Sequence, residues 1–193
     1  MNILTQRLSI SILTVLVTAS SAWAGLGIGI TGGLQKDTWT VSGAGLTSYD
    51  VPKNSSHLGV LLWLPILPTL TIRTGYLLES QAYTVNSSGG TSSVSVTNAV
   101  IPADLQIDLP LTGLYVFGGL LFASNQSIDP SSNTKNNNDT RTNLGLGYDL
   151  LGLPLMGLDL ELEYQKGINV SPSAGYDTKM SAVGMNLVFK IGF

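Results

Sequence analysis

Acidic side chains recur at every second position in several apolar stretches of this 193-residue chain. In LDLELEY, Asp159, Glu161 and Glu163 alternate with leucines, and in ADLQIDL Asp104 and Asp108 alternate with leucine and isoleucine. Because successive side chains of a β-strand point to opposite faces, the carboxylates of each stretch share one face. Carboxylates that converge in a low-dielectric interior must pair with bases, share protons or bind a cation. This is the chemistry of a cation pathway or of an acid–base site.

The same alternation with a period of two runs through most of the chain and predicts strands rather than helices. HLGVLLWL and LYVFGGLLFA are apolar on both faces, so the pattern leaves their register open. The predicted antiparallel strands are Gly25–Leu34, His57–Leu64, Leu70–Val85, Val94–Leu109, Leu114–Ser124, Arg141–Leu151, Leu158–Ile168 and Lys179–Phe193.

The connections between these strands are of two kinds that alternate along the chain. Short apolar turns contain a Leu-Pro pair, as in LPILP, LPLTG and LPLMG. Long polar segments, namely QKDTWTVSGAGLTSYDVPKNSS, NSSGGTSS, NQSIDPSSNTKNNNDT and NVSPSAGYD, fill the other connections. This order predicts an eight-stranded up-and-down β-barrel with all long loops at one end. Apolar turns and apolar strand faces favour a transmembrane barrel with its polar face inside over a soluble ligand-binding barrel.

An eight-stranded barrel is only wide enough for side chains to fill it, so the charged faces predict a network in the lumen. Seven acids face three bases in that set, which predicts carboxylates that bind a proton, a water molecule or a cation. A structural plug of ion pairs and a cation-preferring pore or acid–base site both fit. The predicted lumen network is Arg73, Glu79, Asp104, Asp108, Arg141, Asp149, Asp159, Glu161, Glu163 and Lys190.

Residues for catalysis or metal binding are scarce. The chain has one histidine, His57, and no cysteine. We find no His-x-Ser pair and no two-histidine motif, so we predict no enzyme activity, no cofactor and no metal site. We expect His57 at the rim of the barrel near the membrane interface. We also expect aromatic girdles, with Trp63 and Phe193 at the short-turn side and Tyr76, Tyr83 and Tyr164 at the long-loop side.

The first 24 residues have the layout of a secretory signal peptide. MNILTQR carries one positive charge, LSISILTVLVT is apolar, and SAWA ends in small residues, which predicts cleavage after Ala24. Residues 25–193 would then form the barrel. The net charge is −3 and there is no basic run, which makes nucleic acid an improbable partner.

The chain ends in NLVFKIGF, with Leu187, Phe189, Ile191 and Phe193 at alternate positions. This ending resembles the C-terminal strand signature that the outer-membrane assembly machinery reads, and the layout is similar to small OmpA/OmpX-like eight-stranded barrels. The resemblance implies location in the outer membrane of a Gram-negative bacterium, with the lipid and the assembly machinery as partners. It leaves an extracellular ligand open. Our leading hypothesis is a scaffold that presents loops at the cell surface; a narrow channel with an acidic lumen is the alternative, and a lipid-modifying enzyme comes third.

Overall fold

The computed structural model describes residues 26–43, 46–87, 90–129, 139–153, 156–168, 171–173 and 176–192. The predicted signal peptide and its cleavage site after Ala24 lie outside these residues, as does Phe193. Among the described residues, no helix is long and apolar enough to cross a membrane.

The fold is a closed antiparallel β-barrel in which each strand pairs with its neighbours in sequence and the last strand pairs with the first. The barrel closes with eight strands, and the short β8 pairs only with β9. The predicted all-β, eight-stranded up-and-down fold is therefore confirmed. The strands are β1 (Gly27–Gly43), β2 (Leu46–Leu67), β3 (Leu70–Ser87), β4 (Gly90–Leu109), β5 (Leu114–Asp129), β6 (Asp139–Leu153), β7 (Met156–Gly167), β8 (Ser171–Ser173) and β9 (Tyr176–Ile191).

The first two long segments lie at the end opposite the Leu-Pro turns, as predicted, but they form paired strands rather than loops. β1 and β2 remain paired up to Gly43 and Leu46, and β3 and β4 up to Ser87 and Gly90. Polar sequence alone does not end a strand, because a neighbouring strand that runs alongside satisfies the backbone N–H and C=O groups of the polar part as well. The Thr, Val, Tyr and Trp residues of these segments also favour the extended conformation. We call this end the hairpin side and the opposite end the turn side.

The outer surface of the barrel is apolar and its interior is charged. Outward leucines and valines are open to the surroundings, for example Leu144 (65% exposed) and Val183 (61%), whereas Asp159 is fully buried. On β9 the outward apolar residues run from Val183 to Ile191, nine residues, which spans about 20–25 Å in a tilted strand. This length matches the apolar band of a transmembrane barrel. The transmembrane fold is confirmed, and a soluble barrel with an apolar interior is excluded.

Glycines opposite aromatic side chains determine how the narrow lumen is filled. On β5 and β6, Tyr115 is paired with Gly147 and Phe117 with Gly145, and both rings lie in the space above these glycines. A Cβ atom added at Gly145 would lie 2.1 Å or a little more from three ring atoms of Phe117. The pairing also fixes the register of β5, which the sequence left open: Tyr115 and Phe117 face the lumen.

Replacement of Gly145 by alanine should destabilise the barrel by about 1–3 kcal/mol, because the buried Phe117 ring must move away from the new methyl group. Gly32→Ala is the matched control, since its Cβ would meet nothing closer than 3.5 Å. Urea unfolding of the refolded variants in detergent measures both changes. Equal free energies of unfolding for the two variants would contradict the role given to Gly145.

Candidate functional site

The centre of the lumen is held by one buried guanidinium. Arg73 on β3 donates through Nε and Nη2 to Asp104 Oδ2, at 3.2 and 3.0 Å, and through Nη1 to Glu161 Oε1 at 2.6 Å. Its guanidinium carbon also lies 3.7 Å from the centre of the Phe117 ring. Charge-assisted hydrogen bonds and a cation–π contact therefore join strands β3, β4, β5 and β7 across the barrel.

A tyrosine extends this network toward the turn side. The Tyr115 hydroxyl lies 2.7 Å from Asp159 Oδ2 and 2.7 Å from Glu161 Oε1, so one proton is shared between two carboxylates. Lys190 on β9 forms an ion pair with Asp159. The turn-side cluster consists of Arg73, Asp104, Tyr115, Asp159, Glu161 and Lys190.

A second network lies nearer the hairpin side. Arg141 Nη1 donates to Glu79 Oε2 at 2.9 Å, and its Nε donates to Asp139 Oδ2 at 2.8 Å. Gln35 and Gln165 join these charges to Glu163 through side-chain hydrogen bonds, and Gln81 Nε2 donates to Glu79 Oε1 at 2.8 Å. The hairpin-side cluster consists of Gln35, Glu79, Gln81, Asp139, Arg141, Glu163 and Gln165.

Two buried carboxylates have no ion pair among the described residues. Glu163 is not in an ion pair with any described residue, and its Oε1 accepts a hydrogen bond from Gln165 Nε2 at 2.9 Å. Asp37 on β1 is fully buried, and neither of its carboxylate oxygens has a hydrogen-bond partner in the described structure. The interior thus carries more acid than base, as the sequence predicted, and these two buried carboxylates without an ion pair lie toward the hairpin side.

The structure brings eight of the ten predicted charges into the two clusters. The other two, Asp108 and Asp149, lie at the turn-side mouth, where they line a 250 Å³ cavity together with Trp63 and Lys190. Gln106 donates to Asp108 Oδ1 at 2.7 Å and accepts a hydrogen bond from Trp63 Nε1 at 3.1 Å. The cavity at this mouth is far larger than the one of about 20 Å³ in the middle of the lumen.

Two expectations about single residues are wrong. His57 faces the lumen and is only 8% exposed, and Trp63 is inside the barrel and 2% exposed, so neither belongs to a rim or a girdle. The strand that carries them is apolar on both faces, and the glycines of the paired strand explain which face turns inward. Added Cβ atoms at Gly29 and Gly33 would meet the Trp63 and His57 rings at 2.9 and 2.8 Å.

Sequence reasoning missed Asp37, Asp139 and the neutral polar residues between the charges. Asp37 lies in a polar segment that the sequence predicts to be a loop. In the structure, the inward series of odd-numbered residues that starts at Gly27 continues through Gln35 to Asp37. Extending the parity of β1 into the polar segment would have placed it in the lumen. Asp139 lies two residues before Arg141, so the alternation of β6 places it on the same face as Arg141.

The middle of the lumen holds one small cavity. Its volume is about 20 Å³, which is room for about one water molecule. His57, Glu79, Asp104 and Glu163 are among its lining residues. Among the described residues, no group of three or more His, Cys, Asp or Glu side chains could hold a metal ion.

The last strand presents its alternate apolar residues to the outside. Leu187, Phe189 and Ile191 are 52%, 40% and 48% exposed on β9, which closes the barrel against β1. Phe193 lies outside the described residues, and recognition by an assembly machinery stays a prediction.

Solved structures of outer-membrane barrels are similar to this chain. OprG of Pseudomonas aeruginosa is 15% identical, with 88% of this chain and 96% of OprG covered and a TM-score of 0.49. AlkL, solved in lipid bilayers, is 11% identical over 88% of this chain and 90% of AlkL, with a TM-score of 0.47. Ail of Yersinia pestis is 13% identical over 86% and 99%, with a TM-score of 0.42. No family model and no curated protein matches the chain. Likenesses of this size say nothing about a role.

Replacement of Arg73 by methionine should lower the free energy of unfolding by about 3–5 kcal/mol, because Asp104 and Glu161 would remain buried without their cation. The triple variant R73M/D104N/E161Q removes the charges together and should recover much of the loss. Urea unfolding in detergent micelles measures both. If R73M unfolds like the unmodified chain, the ion pairs do not stabilise the barrel.

Proposed function

We propose that this chain is an outer-membrane barrel with a closed interior, a scaffold that holds extended β-hairpins at the cell surface for interaction with partners outside the cell. The observation that carries the proposal is the filled lumen. Arg73, Tyr115, Phe117 and Trp63 project into it, and each is less than 5% exposed. An open channel needs a continuous path for water, and the central cavity has room for about one molecule.

The hairpins support the second half of the proposal. The outward apolar residues form a belt around the barrel, which we call the apolar belt. On its hairpin side, β1 and β2 remain paired from Lys36 and Asn54 to Gly43 and Leu46, which is about 25 Å along the strand. β3 and β4 extend in the same way beyond Ser80 and Thr97. Such extensions are paired strands rather than unpaired loops, and they project a surface well away from the lipid.

A narrow cation channel remains the second candidate, because a specific observation favours it. Asp37 and Glu163 give the hairpin-side half of the lumen more acidic than basic groups. In their ionised form they would attract cations to the mouth. The closed centre around Arg73 argues against their passage.

A lipid-modifying enzyme has the least support. Ser55 and His57 are two residues apart, in the order Ser-x-His, and share the inner face. The Ser55 hydroxyl has no hydrogen-bond partner in the described structure, so it is not bonded to His57. Both side chains also lie inside the barrel, where a lipid does not reach them. We propose no reaction for this chain.

The closed lumen predicts that the refolded chain produces no current steps in planar lipid bilayers, whereas a porin inserted in the same way does. Gel mobility that changes on boiling serves as the control for folding, since closed barrels resist detergent. Cation-selective steps that weaken in the D37N/E163Q variant would overturn the closed scaffold and establish the channel.

The proposed orientation predicts which ends of the barrel are accessible from outside the cell. The chain has no cysteine, so single cysteines report one position each. Gly90→Cys, at the tip of the β3–β4 hairpin, should react with an impermeant maleimide on intact bacteria. Thr112→Cys, exposed in the turn between β4 and β5, should react only after the cells are permeabilised. The reverse pattern would refute the orientation, and no labelling of Gly90→Cys under either condition would refute the location.

A further inference from the structure

Two lysines are exposed among the charged residues whose side chains the structure describes. They are Lys36 and Lys166, and the other charged side chains of that set are buried or partly buried. The exposed charge of these described side chains is therefore positive.

Both lysines lie near the hairpin-side edge of the apolar belt. Lys36 is the next outward residue after Leu34, which is 69% exposed. Lys166 lies between the outward residues Tyr164 and Ile168, which are 46% and 51% exposed. A lysine at this level can lay its alkyl stem on the apolar surface and hold its ammonium among lipid headgroups.

The two lysines lie on either side of β9. Lys36 on β1 is paired with Val183, and Lys166 on β7 is paired with Ser181, two residues away on the same strand. With two strand spacings and that offset, their Cα atoms are roughly 12 Å apart. Two flexible lysine side chains can reach one headgroup between them over this distance, and the outward residues of β9 that separate them are small.

Neutral hydrogen-bonding residues surround the pair. Asn54 is paired with Lys36, and Thr142 and Ser181 are paired with Lys166 on its two sides. No carboxylate is exposed beside either lysine among the described side chains. The Thr142 hydroxyl donates to the backbone carbonyl of Lys166 at 3.1 Å, so Asn54 and Ser181 are the neutral neighbours whose donor groups can turn to a ligand. Two cations with such neighbours are the complement of a phosphate.

We propose that Lys36 and Lys166 form a binding site for the phosphate groups of a membrane lipid in the leaflet on the hairpin side. The acyl chains of this lipid lie along the apolar strip formed by β1, β9 and β7 below the two lysines. This strip, with Leu34, Val183 and Met185 exposed, selects a lipid over free phosphate. The inference rests on the membrane location given under the proposed function.

The test compares lipid A carrying two phosphates with the same lipid after phosphatase treatment, added to the refolded chain in micelles and counted by native mass spectrometry. Near a membrane surface each lysine contributes about fivefold in affinity, so K36Q/K166Q should bind the phosphorylated lipid roughly 25-fold more weakly. The K36R/K166R variant keeps both charges and should bind like the unmodified chain. Added salt should weaken binding by the unmodified chain, because the site is exposed.

Folding and lipid choice are read separately. Gel mobility before and after boiling shows whether each variant forms the closed barrel. If the unmodified chain does not form it, the proposed function is refuted rather than the lipid site. A relocation variant, K36Q/K166Q/S56K/S80K, places two lysines on the paired, exposed Ser56 and Ser80 of β2 and β3. We expect it to fold and not to recover the loss. Equal binding of the two lipids, or equal binding by the unmodified chain and K36Q/K166Q, would overturn the proposal, as would full recovery by the relocation variant.

Discussion

The barrel depends on the burial of a guanidinium between two carboxylates. Arg73 contacts Asp104 and Glu161, which come from strands 31 and 88 residues away in sequence, and it packs on Phe117. The apolar face of a transmembrane barrel is turned to the lipid, so burial of apolar side chains does not stabilise its interior. The interior is therefore held by ion pairs and hydrogen bonds, and each must be nearly complete, because a buried charge without a partner is costly.

The glycines follow from the same constraint. A lumen this narrow accommodates Phe117, Tyr115 and Trp63 only where the facing residue has no side chain, as at Gly145 and Gly147. The aromatic rings in turn exclude water from the ion pairs around Arg73, which strengthens them. The glycines, the aromatic rings and the ion pairs thus depend on one another. A change in any of them alters the packing or the strength of the other two.

The sequence predicts the strands and most of the lumen charges, because the period of two is set by backbone geometry alone. It fails where both faces carry the same kind of residue. His57 and Trp63 lie on a strand that is apolar on both sides, and Asp37 lies on one that becomes polar on both sides, so alternation gives no signal there. Of the two partners of Arg73, Asp104 is its paired residue on the neighbouring strand. Glu161 cannot be read from the sequence, since this contact depends on which strands face each other across the closed barrel.

The interior of the barrel has a surplus of acidic groups, whereas the exposed charged side chains that the structure describes are lysines. Surplus carboxylates at Asp37 and Glu163 are shielded by the wall, while Lys36 and Lys166 are exposed at the edge of the belt. A headgroup phosphate therefore meets positive charge on the outside of the wall although the chain as a whole is negative, at −3. Net charge consequently misleads about the lipid contacts of such a barrel, because what a lipid encounters is decided by the parity of each residue in its strand.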